Sequence, residues 1–333
     1  MIGKQIYIAR QLLGISMDEL TQRMNGALTK MAISKYERGL INPSPDKLEK
    51  IAAALALPLD FFHRPPLKIS RTFFRQDKGM TAEEIQQITS TVMEQVELYC
   101  AAEQLAAHAP TFRNPFRTRT VRTAREAEAA ADKLRTLWHI GTQPIVSVYE
   151  LLEMHGIHVV EVSIKDLRID GMSLFIEGHI PFIIINTEKN ATTERKRFTA
   201  LHELAHLLLR IAPAAVHQSG HTPDASIDDT VERMAHTFAG AMLFPRECAE
   251  FRLGTHRDSL HIDELISIRN LYGVSIAATV HRAHDINIIT RACYDDMFDN
   301  HINTNRMETG WGAYPIKESA DRYKRLVRRL VLK

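Results

Sequence analysis

The spacing of apolar residues is helical over most of the chain. From Thr81 to His108 apolar residues recur at three- and four-residue steps, which places them on one face of a long helix. Helical spacing returns from Asn186 through Leu209 and over roughly Asp228–Met242. Shorter helices are predicted near Arg125–Trp138 and Ile145–His155. The chain is therefore expected to be mainly α-helical.

Between these helices, one stretch has the pattern of a small sheet. Ile157–Val162 follows Gly156, a residue that commonly ends a helix, and this segment is predicted to be a strand. Met172–Glu177 and Pro181–Asn186 flank Gly178 and predict a hairpin. Together the patterns predict an α+β fold, mainly α with a small β-sheet.

Changes in pattern divide the chain into four regions. Residues 1–66 hold short helices with tight turns, and residues 67–124 hold the long helix and a linker containing proline and arginine. Residues 125–290 have the mixed α and β pattern, and residues 291–333 form a tail. We expect an all-α domain, a helical connector that packs or forms a homodimer, a mixed domain and a C-terminal cap.

The composition is that of a globular protein in a reducing compartment. The formal net charge is +2, so any binding to nucleic acid must come from a local patch. The three cysteines, Cys100, Cys248 and Cys293, are far apart, which argues against disulfides and against a thiolate zinc site. The N-terminus lacks a signal-peptide pattern, and no apolar run is long enough to span a bilayer. We therefore expect a cytoplasmic protein with no membrane partner.

The sequence His202-Glu203-Leu204-Ala205-His206 has the spacing of a zinc-binding helix. Two histidines four residues apart lie on one helical face and can share a cation, and Glu203 can take a proton from water beside the metal. Apolar neighbours indicate a buried helix, in which unpaired polar groups are costly. A buried helix with two satisfied histidines remains an alternative.

Catalytic zinc usually has three protein ligands. Glu232, on the later predicted helix, is the best candidate for the third one. His217 and His221, in a loop containing proline and glycine, and His236, one turn beyond Glu232, are competitors. His236 is also a candidate for a hydrogen-bonding partner behind the ligands.

The segment Arg197–Leu209 resembles the active helix of the ImmA/IrrE family of zinc metallo-endopeptidases, and residues 232–245 resemble the second helix of that family. The resemblance covers most of residues 125–290. It implies a zincin-like fold, Zn²⁺ as the cofactor and Glu232 as the third ligand. The chain differs from the family in having Ala205 where glycine is frequent and His236 where asparagine is common.

Residues 3–62 contain capping signals for a helix-turn-helix. Ser16 and Thr29 precede two predicted short helices. The segment Ile33–Gly39, followed by Pro43-Ser44, resembles the Cro/C1 or Xre family of DNA-binding domains. The resemblance implies that the second helix enters the major groove. The DNA-contacting candidates are Ser16, Thr29, Lys30, Met31, Ser34, Lys35 and Arg38. A module that only forms dimers or binds a protein is the alternative.

The two resemblances together imply a regulatory zinc endopeptidase that binds DNA at an operator-type site and cleaves a repressor-type transcription factor. We expect it to be latent until a signal arrives. The substrate is expected to add as an extended strand beside Met172–Glu177. Tyr272, His281 and Arg282 are candidates to stabilise the oxyanion. The competing hypothesis is a transcription regulator, antitoxin-like, whose zinc domain is a sensor or scaffold with little proteolysis.

Overall fold

A four-stranded sheet with helices on both faces organises the chain. The computed structural model describes residues 2–73, 80–107, 110–116, 120–165, 169–211, 225–306 and 308–331. The strands are β1 (Ile69–Phe73), β2 (Thr120–Val121), β3 (His158–Val162), β4 (Gly171–Ile176), β5 (Ile180–Asn186) and β6 (Arg210–Ile211). The helices are α1 (Ile2–Leu12), α2 (Met17–Arg23), α3 (Lys30–Glu37), α4 (Pro45–Leu55), α5 (Ala82–Leu105), α6 (Ala124–Leu137), α7 (Val148–Met154), α8 (Thr193–Leu208), α9 (Ala225–Leu243), α10 (Arg246–Leu253), α11 (Ile262–Tyr272), α12 (Ile276–Asp285), α13 (Arg291–Met297) and α14 (Asp321–Val331). The predicted fold class, mainly α with a small sheet, is confirmed.

The first helices begin at the residues that the sequence marks as caps. The Ser16 hydroxyl accepts a hydrogen bond from the Glu19 amide, and the Thr29 hydroxyl accepts one from the Ala32 amide. Each cap satisfies an amide that would otherwise lack a partner at the helix start. These caps place α2 and α3 on either side of the turn predicted for a helix-turn-helix.

Helix α1 lies close against α3. A side chain at Gly3 would overlap the Tyr36 carbonyl, so only glycine allows this approach of the two backbones. Arg10 pairs through two nitrogens with the carboxylate of Glu37, at 2.7 and 2.8 Å. Both side chains are largely buried, and the paired hydrogen bonds fix the orientation of α3 on α1.

The sheet has the strand order β1-β4-β5-β3. β4 is antiparallel to β5 and to β1, whereas β3 is parallel to β5. The predicted hairpin is β4 and β5, and the predicted first strand is β3. β1 has no counterpart among the predicted strands.

The outer edge of β4 is not free for an added strand, contrary to the sequence-based expectation. β1, from the connector, pairs along it from Ile69 opposite Ile176 to Phe73 opposite Ser173. An uncovered edge leaves backbone groups unpaired, and β1 satisfies them from within the same chain. A substrate strand could therefore add beside β4 only after β1 has left.

The two faces of the sheet belong to two hydrophobic cores. Ile183 and Ile185 of β5 face a core that includes α6, α8, α9, α11 and α12. Phe182 and Ile184, on the opposite face, belong to a core shared with α5, α14 and the first four helices. The alternation along β5 follows the two-residue period of a strand that is buried on both sides.

The tail packs against the long connector helix. α14 contacts α5 through Leu326, which is buried, and through Tyr323, Val327 and Leu330, which are partly buried. The role of the tail as a cap stays a prediction. Across the described residues, no helix combines the length and apolar character that a membrane crossing requires.

Candidate metal centre

Helix α8 carries both histidines of the HExxH sequence. It begins after Thr192, whose hydroxyl accepts a hydrogen bond from the Arg195 amide, and runs to Leu208. His202 and His206 lie one turn apart, as their spacing predicts. The helix packs against β4, β5 and α9, so that these histidines face the helix that carries Glu232.

Three side chains converge between α8 and α9. Nε2 of His202 lies 3.1 Å from Oε2 of Glu232, and Nε2 of His206 lies 3.4 Å from Oε1 of Glu232. The two Nε2 atoms are 3.2 Å apart. Among the described residues these three form the one group of His, Cys, Asp and Glu side chains whose arrangement suits a metal ion.

These distances fit a zinc ion better than they fit a hydrogen-bond network. Two atoms bound to zinc at about 2.0–2.2 Å with tetrahedral angles lie about 3.3 Å apart. All three separations are close to that value, whereas good N–H···O hydrogen bonds are centred nearer 2.9–3.0 Å. Imidazole nitrogens and a carboxylate are also donor types that zinc binds. The residues present therefore fit the metal that the sequence predicts.

Hydrogen bonds and charges within the cluster favour an ionised Glu232, against the effect of burial. Burial alone would raise its pKa, but the hydrogen bonds with His202 and His206, and the charges of those two histidines, hold the pKa of the Glu232 carboxyl well below its usual range. A carboxylate must be ionised to bind a metal.

Glu203 lies beside the cluster on the side of β4. It is nearly fully buried, and its Oε2 accepts a hydrogen bond of 2.8 Å from the Ser173 hydroxyl. Burial raises the pKa of Glu203, although the charges of His202 and His206 and the Ser173 bond oppose this effect. Ser173 orients the carboxylate that the sequence predicts as the general base.

Ser173 was not among the predicted site residues. It is fully buried and points to the face of β4 that also carries the partly buried Phe175. A hydroxyl at an inward position of an otherwise apolar strand, Met172-Ser173-Leu174, is the signal that could have identified it, because buried polar groups need partners.

A network behind the site fixes the start of α8 against β4. The Thr199 hydroxyl donates to Oδ1 of the Asn190 amide, and Nδ2 of the same amide donates to the carbonyl of Asp170. A side chain at Gly171 would lie 2.8 Å from the Thr199 methyl group. Glycine at this position therefore lets β4 approach the active helix closely.

His236 lies against the predicted ligand His202. Their ring centroids are 4.6 Å apart, and the His236 ring also stacks on Phe198 at 5.7 Å. His236 therefore lies next to a candidate ligand, and its role as a hydrogen-bonding partner behind the ligands stays a prediction. The competing ligand candidates His217 and His221 lie outside the described residues.

Arg197 anchors the active helix from its buried side. Its guanidinium pairs with Glu318 at 2.6 Å, and neither side chain is accessible to solvent. It also donates to the carbonyls of Ile145, Val146, Tyr272 and Gly273. Glu318 in turn accepts from the Ser147 hydroxyl and the amides of Val148 and Tyr149, so the tail ties α7 to α8.

The three predicted oxyanion candidates make their described contacts elsewhere. Arg282 is buried and pairs with Glu128 at 2.6 Å and with the Phe244 carbonyl at 3.2 Å, which is a structural role. The hydroxyl of Tyr294 bonds Nδ1 of His281, and the ring of Tyr272 packs on Phe244. None of these contacts reaches the His202–His206–Glu232 cluster, and the role of the three residues as oxyanion donors gains no support from them.

The predicted DNA-contacting residues lie on the outer side of α2 and α3. Lys35, Arg38 and Met31 are exposed, and Ser34 is half-buried. Lys30 is exposed and pairs with Asp18 at 2.7 Å. Ser16 and Thr29 are exposed caps. The structure thus brings all seven candidates to one two-helix unit.

Comparison with protein families agrees with both parts of the chain. Residues 152–284 match the family described as the IrrE N-terminal-like domain, and residues 6–62 match the helix-turn-helix family. No curated protein matches the chain. The resemblance seen in the sequence is confirmed: an Xre-type helix-turn-helix domain is fused to an IrrE-like, metallopeptidase-like domain.

Proposed function

We propose that this chain is a zinc endopeptidase that binds DNA through its N-terminal helices and cleaves a repressor-type transcription factor. The observation that carries the proposal is the convergence of His202, His206 and Glu232 at separations of 3.1–3.4 Å beside Glu203. A buried general base next to such a cluster has a use in hydrolysis, whereas a structural zinc site needs none.

His202, His206 and Glu232 would hold the metal. When bound, zinc supplies a positive charge that makes water more acidic and a peptide carbonyl more electrophilic. Glu203 takes the proton of the attacking water and passes it to the leaving amine. Ser173 holds Oε2 of Glu203 in place for both transfers. The cluster, the base and its partner belong to α8, α9 and β4.

The fused helix-turn-helix supports a regulatory rather than a digestive role. A protease attached to a DNA-reading unit is concentrated near operator-type sites, where repressors bind. We therefore propose that the substrate is a repressor and that cleavage awaits a signal. The cytoplasmic location and the homodimer expected from the sequence stay predictions.

The ligand assignment is tested by measuring bound zinc in the wild type, Glu232→Ala and Glu203→Gln. Glu232→Ala removes one of three ligands and should lose most of the zinc. Glu203→Gln keeps all three ligands and should hold zinc at the wild-type ratio. Full retention of zinc by Glu232→Ala would assign the third ligand to another residue, such as His236.

Proteolysis is tested against a repressor-type protein, chosen from the genes that neighbour the one for this chain. The wild type should cut it under inducing conditions, and Glu203→Gln should leave it intact because the general base is gone. If both proteins hold zinc and bind DNA, yet the wild type never cuts this repressor, the endopeptidase proposal fails.

A second candidate is a transcription regulator whose zinc domain serves as a scaffold. One observation favours it: the core of the first four helices continues without a break into α5, α14 and one face of the sheet. A scaffold would still bind zinc and DNA, so only the cleavage assay separates the two candidates.

A further inference from the structure

The outer edge of β4 runs past the general base. Ser173, on β4, donates to Glu203 at 2.8 Å. A side chain placed at Gly171, two residues earlier, would lie 3.4 Å from the Cγ atom of Glu203. The end of β4 from Gly171 to Ser173 therefore borders Glu203, while its other end, at Ile176, borders the hairpin turn. An extended segment that pairs with this edge would therefore lie alongside β4, with one end next to the Glu203 carboxylate.

The outer edge of β4 is already paired with β1, another strand of the same chain. Phe73, Thr72 and Arg71 of β1 lie opposite Ser173, Leu174 and Phe175 of β4 in an antiparallel register. A strand has two hydrogen-bonding edges, and the other edge of β4 is taken by β5. The backbone of β1 thus runs toward Glu203 along the only edge of β4 at which another strand could add.

β1 is fastened at the end far from Glu203. The Lys68 amide donates to the Glu177 carboxylate at 2.8 Å, and the Glu177 amide donates to the Lys68 carbonyl at 3.0 Å. The amide of Gly178 donates to the Ser70 hydroxyl. The register then shifts between Ile69 and Arg71, as in a β-bulge, which interrupts the ladder. The strand is therefore tethered at the hairpin and interrupted between that tether and the catalytic end.

We propose that β1 is a built-in competitor of the substrate strand: it occupies the β4 edge in the latent protein, and an extended segment of the substrate must replace it to reach Glu203. This inference rests on the proposed endopeptidase function and supplies a physical basis for the latency of the site. The exchange is nearly balanced, because one set of backbone hydrogen bonds replaces another. Loosening β1 should therefore tighten the binding of any strand that needs the edge.

The test uses two zinc-binding probes that differ in their need for the edge. The first is the peptide of residues 68–73 with a C-terminal hydroxamate, and the second is acetohydroxamate, which has no backbone to pair. The variant Thr72→Pro/Phe73→Pro removes two successive amides of β1, and at least one of them faces β4 because successive amides of a strand point to opposite sides. Thr72→Ala/Phe73→Ala keeps both amides and is the matched control.

The proline variant should bind the peptide hydroxamate about tenfold more tightly than the wild type, which corresponds to losing one or two net hydrogen bonds from β1. Acetohydroxamate should bind the wild type, the proline variant and the alanine control equally. Equal binding of the peptide to the wild type and the proline variant would overturn the proposal.

A second, milder pair of variants keeps the proposal testable if the proline variant does not fold. Glu177→Ala removes the acceptor of the Lys68 amide, whereas Glu177→Gln keeps an oxygen at that place. Glu177 lies at the hairpin, away from the site. A shorter hydroxamate peptide of residues 70–73, which lacks Lys68 and therefore does not need Glu177 itself, should bind Glu177→Ala severalfold more tightly than Glu177→Gln. If these two variants bind the peptide alike, β1 does not compete.

The experiments distinguish failure of the proposed zinc-dependent function from failure of the strand exchange. A chain that holds no zinc would bind neither hydroxamate through the metal. Hydrogen–deuterium exchange with the plain 68–73 peptide then remains as a readout: the peptide should protect residues 171–176 in the proline variant more than in the wild type. Absence of that difference would overturn the strand exchange whether or not zinc is bound.

Discussion

At the scale of single residues, Glu153 on α7 is a buried carboxyl whose described ion pair is long. Its side chain is largely buried, and Arg325 lies at a distance of 3.7 Å, too long for a good hydrogen bond. Burial raises the pKa of Glu153 to about 7, against the opposing charges of Arg322 and Arg325, while Asp321 adds to the rise. The folded protein therefore holds a proton on Glu153 that the unfolded chain releases near its ordinary value of 4.5.

This group should lower the free energy of unfolding as the pH rises. Between about pH 4.5 and 7 the folded state binds more protons at Glu153 than the unfolded state does, so its contribution is favourable below this window and is lost above it. Glu153→Gln mimics the neutral form. It should stabilise the protein by about 1–3 kcal/mol more at pH 8 than at pH 5.

Urea unfolding at the two pH values measures the difference. Glu150→Gln is the control, because Glu150 is exposed on the same helix. It should change stability equally at both pH values. A Glu153→Gln protein whose stability gain does not depend on pH would show that the carboxyl is ionised throughout.

At the scale of elements, α3 is the helix that the sequence assigns to the major groove. Lys35 is exposed in the last turn of this helix. We expect Lys35→Ala to weaken DNA binding, by about 1–3 kcal/mol if the ammonium meets a base edge, and to lower discrimination between duplexes.

The measurement compares a duplex enriched by the wild type from a random library with a scrambled duplex, over a range of salt concentrations. Lys189→Ala, an exposed lysine after β5, is the control and should bind both duplexes like the wild type. If Lys35→Ala also binds both duplexes like the wild type, α3 does not contact DNA through Lys35, and the module has the protein-docking role that was the alternative.

The elements also show what local sequence could and could not predict. The HExxH spacing, the caps at Ser16 and Thr29 and the β4–β5 hairpin are local signals, and the structure contains each of them. β1 is different, because Lys68 and Glu177 lie 109 residues apart and nothing near Lys68 specifies its partner. The pairing of Arg197 with Glu318 was unpredictable for the same reason.

At the scale of the whole molecule, the first four helices, which hold the helix-turn-helix, do not have a core of their own. Ile6 of α1, Ile88 of α5 and Phe182 of β5 belong to one continuous apolar cluster. Lys4 of α1 also pairs with Glu97 of α5 at 2.6 Å. The connector therefore packs against both the N-terminal helices and the sheet and is not a flexible tether. A substitution that weakens its packing should destabilise both of these parts.

The substitution Ile88→Ala tests whether the N-terminal helices and the sheet share one core. Ile88 is almost fully buried, and its truncation should cost about 2–4 kcal/mol of stability. Hydrogen exchange should quicken both in α1 and in β5. Thr89→Ala, at the exposed neighbouring position, should change stability by no more than about 0.5 kcal/mol. Faster exchange in α1 alone would indicate two cores that open independently.

The buried pair of Arg197 and Glu318 has a consequence for the order in which the protein is made. The two residues are 121 positions apart, so a ribosome adding about 5–20 residues per second completes Glu318 roughly 6–24 s after Arg197. Until then the guanidinium has no counter-ion, and burying it unpaired would cost several kcal/mol. We therefore expect α8, with His202 and His206, to settle into its final place only after the tail has been translated, so that the three candidate ligands come together late.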